Sequence, residues 1–574
     1  MKKGKGVVHR VNVFDSHNDE ATDYAILSHR WTEQEVDYDE MDDLARMDQE
    51  DRDKIRRRLG YKKIINSCEQ AKKDKYEWLW VDTCCIDKRS SAELSEAINS
   101  MYRWYENSRK CYAYFHDLTD ENFPAASDDQ RYHHSNGWPE WFSRGWTLQE
   151  MIAPRDVRFF NKNWQLIGDK TELARTLAEI TRVPEHILTD GLRSNRPCVA
   201  QIMSWAANRK TTRVEDKAYS LLGLLDVNMP MLYGEGKKAF HRLQLEIIRT
   251  SDDQSIFAWD YEREKGRTCS ILADDPSCFG DCSEMEQMGL AELTDELEED
   301  IEDLEGSSIN EDRYGVYPIT NRGIQIWLLL RRLPDESGSV FEARLPCRPR
   351  PSQPPVAIKL ASWKYKYYRH FTPLQYESPL KKTLRFKNVC LPYQDLRDVT
   401  FQIDDSALTR SGFNYCGAHP PKLAGNTLIL TNTDPLCVEV YSDDQANLRL
   451  VVGYGKFLGQ HWVHLVCEVV SGQPSHWKKY AQEEYKKMQD GRPEYAQCMS
   501  SACPQKERYH HVLMKHTSLP GSTQQNIRTS CVVWESSGIC AIKIDVFHGF
   551  CNVTEEWTGF AIDVGGSSHA NHLN

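Results

Sequence analysis

The stretch from Trp78 to Tyr105, WLWVDTCCIDKRSSAELSEAINSMYRWY, constrains the fold more than any other part of the chain. It begins with a short apolar run of aromatic and β-branched residues, which predicts a buried strand. A loop containing Asp82, Asp87 and Lys88 follows the strand. Apolar residues then recur at spacings of three and four, a pattern that places them on one face of a helix. The order of strand, polar loop and amphipathic helix predicts an α/β unit.

Similar apolar runs lie on both sides of this unit. The segment DYAILSHRW, which ends at Trp31, predicts a first buried strand, and KCYAYF after Lys110 predicts a third. Alternation of strands with helices predicts a mainly parallel sheet with right-handed crossovers. Ligands of such sheets bind at the carboxyl ends of the strands. We therefore expect Asp82, Asp87 and Lys88 to lie where ligands bind.

The chain has 574 residues, more than one hydrophobic core can organise, and this length predicts two to four domains. Residues 1–160 are predicted to form the α/β domain and residues 161–265 a helical extension. An acidic linker or insert is predicted at 266–312. Beyond it, short β-type runs separated by Gly, Pro, Asn and Asp predict a β-rich domain at 313–574, either a sandwich or a barrel.

Composition excludes several classes of protein. The net charge is −13, from 72 Lys plus Arg and 85 Asp plus Glu, which disfavours broad nucleic-acid binding. The N-terminus lacks the apolar stretch of a signal peptide, and no segment approaches the length of a membrane span. The 18 cysteines are scattered and do not resemble a secreted disulfide framework. We therefore expect a cytoplasmic protein with reduced thiols, without a membrane span and without a nucleic-acid partner.

Two groups of cysteines are candidates for a reactive or a metal-binding site. Cys84 and Cys85 are interpreted as small buried residues, with nucleophilic catalysis as the alternative. The group formed by Cys498, Cys503 and the pair His510 and His511 is a poor match to the spacings of structural zinc sites. We therefore expect no metal.

The segments DYAILSHRW, WLWVDTCCIDKRSSAELSEAINSMYRWY, CYAYFHDL and SRGWTLQE together resemble the HET (heterokaryon incompatibility) domain of filamentous fungi. The resemblance covers about residues 22–155. It implies a protein that triggers cell death when genetically different fungal cells fuse, with self-association through this domain and a non-self recognition partner that the sequence does not identify. The chain shows no GxxxxGK[ST] nucleotide-binding motif and no 40-residue repeat.

The HET domain is in turn similar to TIR domains, some of which cleave NAD, and this similarity implies a TIR/flavodoxin-like fold. Plant-type TIR sequences carry a strand that ends in a Ser-containing loop and a strand with an Asp, to which Ser28 and Asp82 correspond here. They also carry a Ser-x-Trp-Cys-Leu-x-Glu motif, which corresponds to SRGWTLQE, from Ser143 to Glu150. This chain has an extra residue before the Trp, and Thr147 replaces the Cys. The resemblance implies that Glu150 is the catalytic glutamate and that NAD is a substrate; no cofactor is expected.

Cleavage of the bond between nicotinamide and ribose develops positive charge on the sugar, and a carboxylate such as Glu150 can stabilise that charge. Arg30 is a candidate ligand for a phosphate of the dinucleotide, and Trp146 or Trp31 for stacking on a flat ring. His29 and Lys88 are further candidates. These roles lead to the hypothesis of an NAD hydrolase.

Each of these roles has a structural alternative. Glu150 is also suited to the first turn of a helix, where the helix dipole favours a carboxylate. Arg30 is equally suited to a salt bridge with Asp82 or Asp87, and both tryptophans to the core. The functional alternative is a non-catalytic scaffold that acts through self-association of the HET domain.

Overall fold

The computed structural model divides into two compact units, Met1–Asp395 and Leu396–Asn574. It describes these residues: 2–4, 7–9, 23–193, 196–260, 268–301, 314–333, 340–363, 366–370, 384–394, 399–421, 423–424, 426–431, 435–457, 460–469, 476–490, 513–518, 525–534 and 539–548. The predicted domain boundaries at residues 160, 265 and 312 all lie within the first unit, and the division between the units falls inside the predicted β-rich domain. The four-domain organisation stays a prediction.

The predicted α/β domain contains a five-stranded sheet. The strands up to and including this sheet are β1 (Lys2–Gly4), β2 (Val7–His9), β3 (Tyr24–His29), β4 (Trp78–Trp80), β5 (Lys110–Tyr114), β6 (Val157–Phe160) and β7 (Leu166–Asp169). β1 and β2 form a separate antiparallel pair. The sheet has the order β4-β3-β5-β6-β7, in which β7 alone is antiparallel to its neighbour. This confirms a mainly parallel sheet; the TIR/flavodoxin-like assignment stays a prediction.

Helices cover both faces of this sheet, as the burial of a parallel sheet requires. They are α1 (Tyr38–Asp43), α2 (Gln49–Arg57), α3 (Leu59–Lys73), α4 (Ser91–Asn107) and α5 (Thr147–Ile152), with a 3₁₀ turn at Glu140–Ser143. One apolar cluster joins α1–α3 to one face, through residues such as Leu27 and Ile64. A second cluster joins α4 and α5 to the other face, through residues such as Ile26 and Met101.

The central helix α4 begins where the sequence indicates. Ser90 is its N-cap and accepts a hydrogen bond from the Glu93 amide at 3.2 Å, while Glu93 Oε1 accepts one from the Asp87 amide at 2.9 Å. The cap is therefore the serine that precedes the helix, and neither Asp82 nor Asp87 caps it. Asp87 instead holds the loop, because its carboxylate pairs with Arg89 at 2.9 Å.

A helical segment follows β7. Its helices are α6 (Ala174–Thr181), α7 (Glu185–Asp190), α8 (Val199–Trp205), α9 (Asp216–Tyr219), α10 (Leu222–Leu225) and α11 (Lys238–Thr250), with a 3₁₀ turn at Gln254–Phe257. These helices share the apolar cluster that covers α4 and α5. The predicted helical extension is thus packed on the α/β domain as a continuation of its core.

The remainder of the first unit is mostly β. Its elements are β8 (Thr268–Cys269), a 3₁₀ turn at Pro276–Phe279, β9 (Glu286–Gln287), α12 (Leu290–Glu296), a 3₁₀ turn at Glu298–Asp300, β10 (Ile319–Thr320), β11 (Gly323–Arg332), β12 (Val340–Arg344), β13 (Cys347–Arg348), β14 (Ala357–Trp363), β15 (Lys366–His370) and β16 (Arg385–Leu391). β11 pairs with both β12 and β16, so the sheet closes into a barrel. β13 pairs with β9 outside this barrel.

The second unit continues the β-rich region. Its elements are β17 (Val399–Asp404), α13 (Ser406–Arg410), β18 (Asn414–His419), β19 (Leu423–Ala424), β20 (Thr427–Leu430), β21 (Leu436–Asp443), β22 (Leu448–Phe457), β23 (Gln460–Val469), α14 (Trp477–Asp490), β24 (Leu513–Ser518), β25 (Gln525–Trp534) and β26 (Ile539–His548). They form a six-stranded and a four-stranded sheet around one apolar core. Of the helices described, none has both the length and the apolar composition needed to cross a membrane.

Candidate functional site

The carboxyl end of β3 and the helix α5 meet at a buried carboxyl group. Ser28 Oγ lies 2.5 Å from Glu150 Oε2, and the indole nitrogen of Trp141 donates to Ser28 Oγ at 2.8 Å. An indole N–H can only donate, so it occupies the acceptor side of the serine oxygen and leaves the hydroxyl proton directed at the carboxylate. Glu150 is 3% exposed. Trp141 and Ser28 thus fix the orientation of a single buried glutamate.

A second carboxylate, Asp82, connects three further predicted site residues. Its Oδ2 accepts a hydrogen bond from the Trp31 indole at 2.7 Å, and its Oδ1 lies 3.4 Å from His29 Nε2. Lys88 Nζ lies 3.7 Å from the centre of the Trp31 ring, a cation–π contact. Trp31 is 39% exposed, so its assignment to the core is wrong. The structure therefore places an accessible aromatic ring beside a partly buried carboxylate.

Burial shifts the pKa values of Glu150, Asp82 and His29. It raises the pKa of Glu150 to about 8, with a further increase from the charge of Asp82, while the hydrogen bond from Ser28 and the charges of Arg144 and Arg209 oppose the shift. Burial also raises the pKa of Asp82. For His29 it lowers the pKa well below 6.5, so the imidazole is neutral at pH 7. Perturbed carboxyl groups of this kind are characteristic of functional sites.

Positive charge surrounds these acids. Lys63, Lys88 and Arg144 all act electrostatically on both His29 and Asp82. Burial lowers the pKa of Lys88 and of Lys63, and Lys63 lies 2.5 Å from the Glu35 carboxylate. Cationic side chains around a cleft attract anionic ligands such as phosphates.

Three predicted site residues lie outside this group. Arg30 forms an ion pair with Glu140 at 2.5 Å. The alternative of a salt bridge between Arg30 and Asp82 or Asp87 is therefore wrong. Asp87 pairs with Arg89 in its own loop. The Trp146 indole hydrogen-bonds to Asp216 of the helical segment, so it contacts that segment and takes no part in the bonds around Glu150.

Sequence reasoning missed several residues that act on the site. Trp141 lies just before the motif from Ser143 to Glu150 and Arg144 lies within it, but side chains on a turn have no periodicity that shows which one points inward. Lys63 lies on α3, among exposed basic residues that it resembles in sequence. Arg209 comes from the helical segment and is buried against α5. Its neighbours Asn208, Lys210 and Thr211 are polar as well, so no local pattern in the sequence singles it out.

One group of potential metal ligands occurs among the described residues. His116, Asp117 and Glu140 each offer a ligand atom, all within 4.8 Å of one another. The Arg30 guanidinium already neutralises the Glu140 carboxylate at 2.5 Å. The cluster therefore has its own cation. The cysteine and histidine group from Cys498 to His511 lies outside the described residues.

The position of α5 is set at both of its ends. At its C-terminus, the buried Lys170 ammonium donates to the carbonyl oxygens of Met151 at 3.3 Å, Ile152 and Pro154. At its N-terminus, Gly145 packs so closely that a Cβ atom there would lie 2.6 Å from Thr211 Cγ2. The close approach of the Thr211 side chain explains the glycine.

We expect Gly145→Ala to destabilise the first unit by about 1–3 kcal/mol, because the added methyl overlaps Thr211. Hydrogen exchange at α5 measures the local opening free energy. The second change Thr211→Ser removes the overlapping methyl and should restore part of the loss. Gly289→Ala is the matched control, since nothing lies within 4 Å of its Cβ position. Equal effects of Gly145→Ala and Gly289→Ala would contradict this explanation.

Two parts of the chain match known protein families. Residues 24–140 match the family described as heterokaryon incompatibility protein (HET), and residues 238–287 match a domain of unknown function (DUF8212). The vegetative incompatibility protein HET-E-1 of Podospora anserina is 44% identical over 231 residues, which are 39% of this chain and 16% of that protein. The chain thus spans only a small part of that relative's length, and no solved structure matches. Residues 24–140 of this chain are thus similar to the heterokaryon incompatibility (HET) family.

Proposed function

We propose that this protein acts in heterokaryon incompatibility and that its HET domain hydrolyses NAD, with Glu150 as the catalytic residue. The observation that carries the proposal is the buried Glu150 carboxyl group, held by Ser28 at the carboxyl end of β3. The parallel strands follow the order of flavodoxin-like sheets, in which the ligand binds where the strand order reverses. Here that point lies between β3 and β5, beside Glu150.

The reaction breaks the bond between ribose C1′ and the pyridinium nitrogen. The bonding electron pair moves to the nitrogen, so nicotinamide leaves neutral and needs no general acid. Positive charge develops on the ribose, and the Glu150 carboxylate stabilises it. Water then adds to C1′ and releases a proton, which completes hydrolysis.

The raised pKa of Glu150 suits a cationic substrate. In the free protein the carboxyl group, with a pKa of about 8, is largely protonated at pH 7. The pyridinium ring of NAD carries a positive charge, and an opposite charge nearby favours the ionised form of a carboxyl group. Substrate binding should therefore lower the pKa of Glu150 and generate the carboxylate in the complex.

Other residues suit the remaining parts of the dinucleotide. The accessible face of Trp31 could stack on a flat ring, with its indole fixed by Asp82 and covered on one face by Lys88. The phosphates require cations, and Lys88, Arg144 and Arg30 are the candidates, Arg30 after release from Glu140.

We infer that the biological output is cell death after non-self recognition, with activation by self-association of the HET domain. The similarity to a vegetative incompatibility protein supports the biological role. Depletion of NAD provides a direct route from the proposed chemistry to that output. The chemistry itself is supported by the geometry around Glu150.

The test is release of nicotinamide from NAD by the full chain, at protein concentrations that favour assembly. Hydrolysis yields nicotinamide and ADP-ribose in equal amounts. Turnover supports the hydrolase. Absence of turnover in samples that contain demonstrated oligomers would reject it and favour the alternative of a non-catalytic scaffold.

We expect kcat/KM for NAD to rise with pH and to level off above about 8. This parameter reports ionisation in the free enzyme, and the active form of Glu150 is the carboxylate, whose pKa in the free protein is about 8. Initial rates of nicotinamide release, corrected for the spontaneous reaction at each pH, measure the profile. A kcat/KM that falls above pH 8 would instead assign Glu150 as an acid and reject its role as the stabilising anion.

A further inference from the structure

A short segment of the helical region runs alongside the N-terminus of α5. The Lys210 amide donates to Ser143 O at 2.6 Å, and the Gly145 amide donates to Lys210 O at 3.0 Å. These bonds form a parallel bridge between Arg144 and Lys210. The segment 209–211 is therefore joined by backbone hydrogen bonds to the motif that carries Glu150.

Arg209 adds a buried side-chain contact to this bridge. Its Nη1 donates to Arg144 O at 2.8 Å and to Thr147 Oγ1 at 3.0 Å, and its Nε donates to Trp205 O at 3.3 Å. Thr147 Oγ1 lies 2.6 Å from Trp141 O, to which it donates. Trp141 is the residue that orients Ser28. Two hydrogen bonds thus lead from Arg209 to the backbone of Trp141, whose indole donates to Ser28.

The motif departs from the plant-type TIR sequence at two positions, and both contact this segment. Arg144 and Gly145 stand where that motif has a single residue, and Gly145 allows the close approach of Thr211. Thr147 stands in place of the Cys, and its hydroxyl accepts the hydrogen bond from Arg209. The two departures therefore have one structural explanation, which is the docking of residues 209–211.

We propose that Arg209 is a positioning residue for Glu150, and that residues 209–211, outside the matched HET region of 24–140, complete the site. Arg209 acts through two effects: it fixes the turn before α5, and it places a buried positive charge near the Glu150 carboxyl group. The catalytic consequence of this arrangement rests on the proposed function. The effect of Arg209 on the ionisation of Glu150 is independent of that function.

Charged and titratable groups reach Glu150 from every element around it. Asp82, Tyr105 and Cys111 come from the loop after β4, from α4 and from β5, and Arg144 and Arg209 are the cations. Burial lowers the pKa of Arg209 to about 9, and this value still leaves the guanidinium charged at pH 7. Removal of that charge should therefore disfavour the Glu150 carboxylate.

The experiment compares the full chain with Arg209→Met, Arg209→Lys and the control Arg249→Met, whose arginine lies exposed on α11. The ionisation midpoint of Glu150 is measured by infrared difference spectra of each protein against its own Glu150→Gln counterpart. We expect Arg209→Met to raise the midpoint by about one pH unit or more, with a smaller change for Arg209→Lys and none for the control. The acid limb of kcat/KM should shift by the same amount.

A folded Arg209→Met protein with an unchanged Glu150 midpoint would overturn the proposal. If that variant fails to fold, Arg209→Gln removes the charge but keeps a donor for Arg144 O, and the same criterion applies to it. The infrared midpoint needs no turnover. A wild-type protein that is inactive on NAD but shows the predicted shift would reject the proposed function and leave the role of Arg209 intact.

Discussion

We expect Glu150→Gln to abolish NAD turnover and to leave the fold intact. Glutamine has the shape of glutamate and can still accept the hydrogen bond from Ser28, but it cannot stabilise positive charge on the ribose. Loss of one such electrostatic group lowers kcat by about 10²–10³-fold or more. Nicotinamide release measures the loss, and circular dichroism shows whether the fold is kept.

The same substitution should stabilise the protein. The pKa of Glu150 is raised from 4.5 to about 8, so its contribution to stability is full below pH 4.5 and is lost as the pH rises through 8. At pH 7 the buried group costs about 3 kcal/mol, since each pH unit above 4.5 adds about 1.4 kcal/mol. We therefore expect the thermal unfolding midpoint of Glu150→Gln to exceed that of the wild type at pH 7 and to exceed it further at pH 8.5.

Glu172→Gln is the matched control, because Glu172 is exposed. It should change neither turnover nor thermal stability. A Glu150→Gln protein that is less stable than the wild type would show that Glu150 is a structural residue of the helix. Full activity in a folded Glu150→Gln protein would remove the basis for the hydrolase.

Much of the α/β domain could be predicted because its strands are short apolar runs with polar ends. β6 is such a run, from Val157 to Phe160, and the helical face of α4 buries Ala97, Ile98, Met101 and Tyr105 as its spacing indicates. The edge strand β7 is not such a run, because half of its residues are polar or exposed. Leu59 is apolar and yet 66% exposed, since it is the first residue of α3 and lies beyond the buried turns.

The acidic stretch after Trp31 contains two helices that the hydrophobic pattern does not reveal. α1 and α2 are short and have few apolar residues, so periodicity does not reveal them. Their N-caps do: Asp37 and Asp48 each accept a hydrogen bond from a backbone amide of the first turn, at 2.9 Å in both cases. Local capping chemistry carried the information that the hydrophobic pattern lacked.

The candidate site was only partly predictable for a related reason. Ser28, His29, Trp31, Asp82 and Lys88 end two adjacent parallel strands or lie just after them, and the sheet brings them together. Which tryptophan, Trp141 or Trp146, contacts Ser28 depends on how a turn is oriented. The contact of Arg209 with α5 depends on packing between segments distant in sequence. Neither is encoded in a local pattern.

The second unit contains its own perturbed carboxyl group. Glu439 on β21 is 2% exposed and lies in the apolar core between the sheets. Its Oε2 accepts hydrogen bonds from the hydroxyls of Tyr454 at 2.7 Å and Tyr441 at 3.1 Å, and Tyr441 also lies 3.0 Å from Asp405. Burial raises the pKa of Glu439 to about 7, against the effect of the two tyrosine hydrogen bonds.

The stability of the second unit should therefore fall as the pH rises from 5 to 8. Because the folded pKa of about 7 exceeds the ordinary 4.5, the contribution of Glu439 is full below pH 4.5 and is lost above 7, a change of about 3 kcal/mol. Hydrogen exchange in β21, corrected for the intrinsic effect of pH, measures this opening free energy within the full chain.

Glu439→Gln keeps an acceptor for both tyrosines and carries no charge, so its opening free energy should stay constant over this range. Glu483→Gln, on the exposed face of α14, should retain the wild-type decline. An equal decline in Glu439→Gln would assign the pH dependence to other groups.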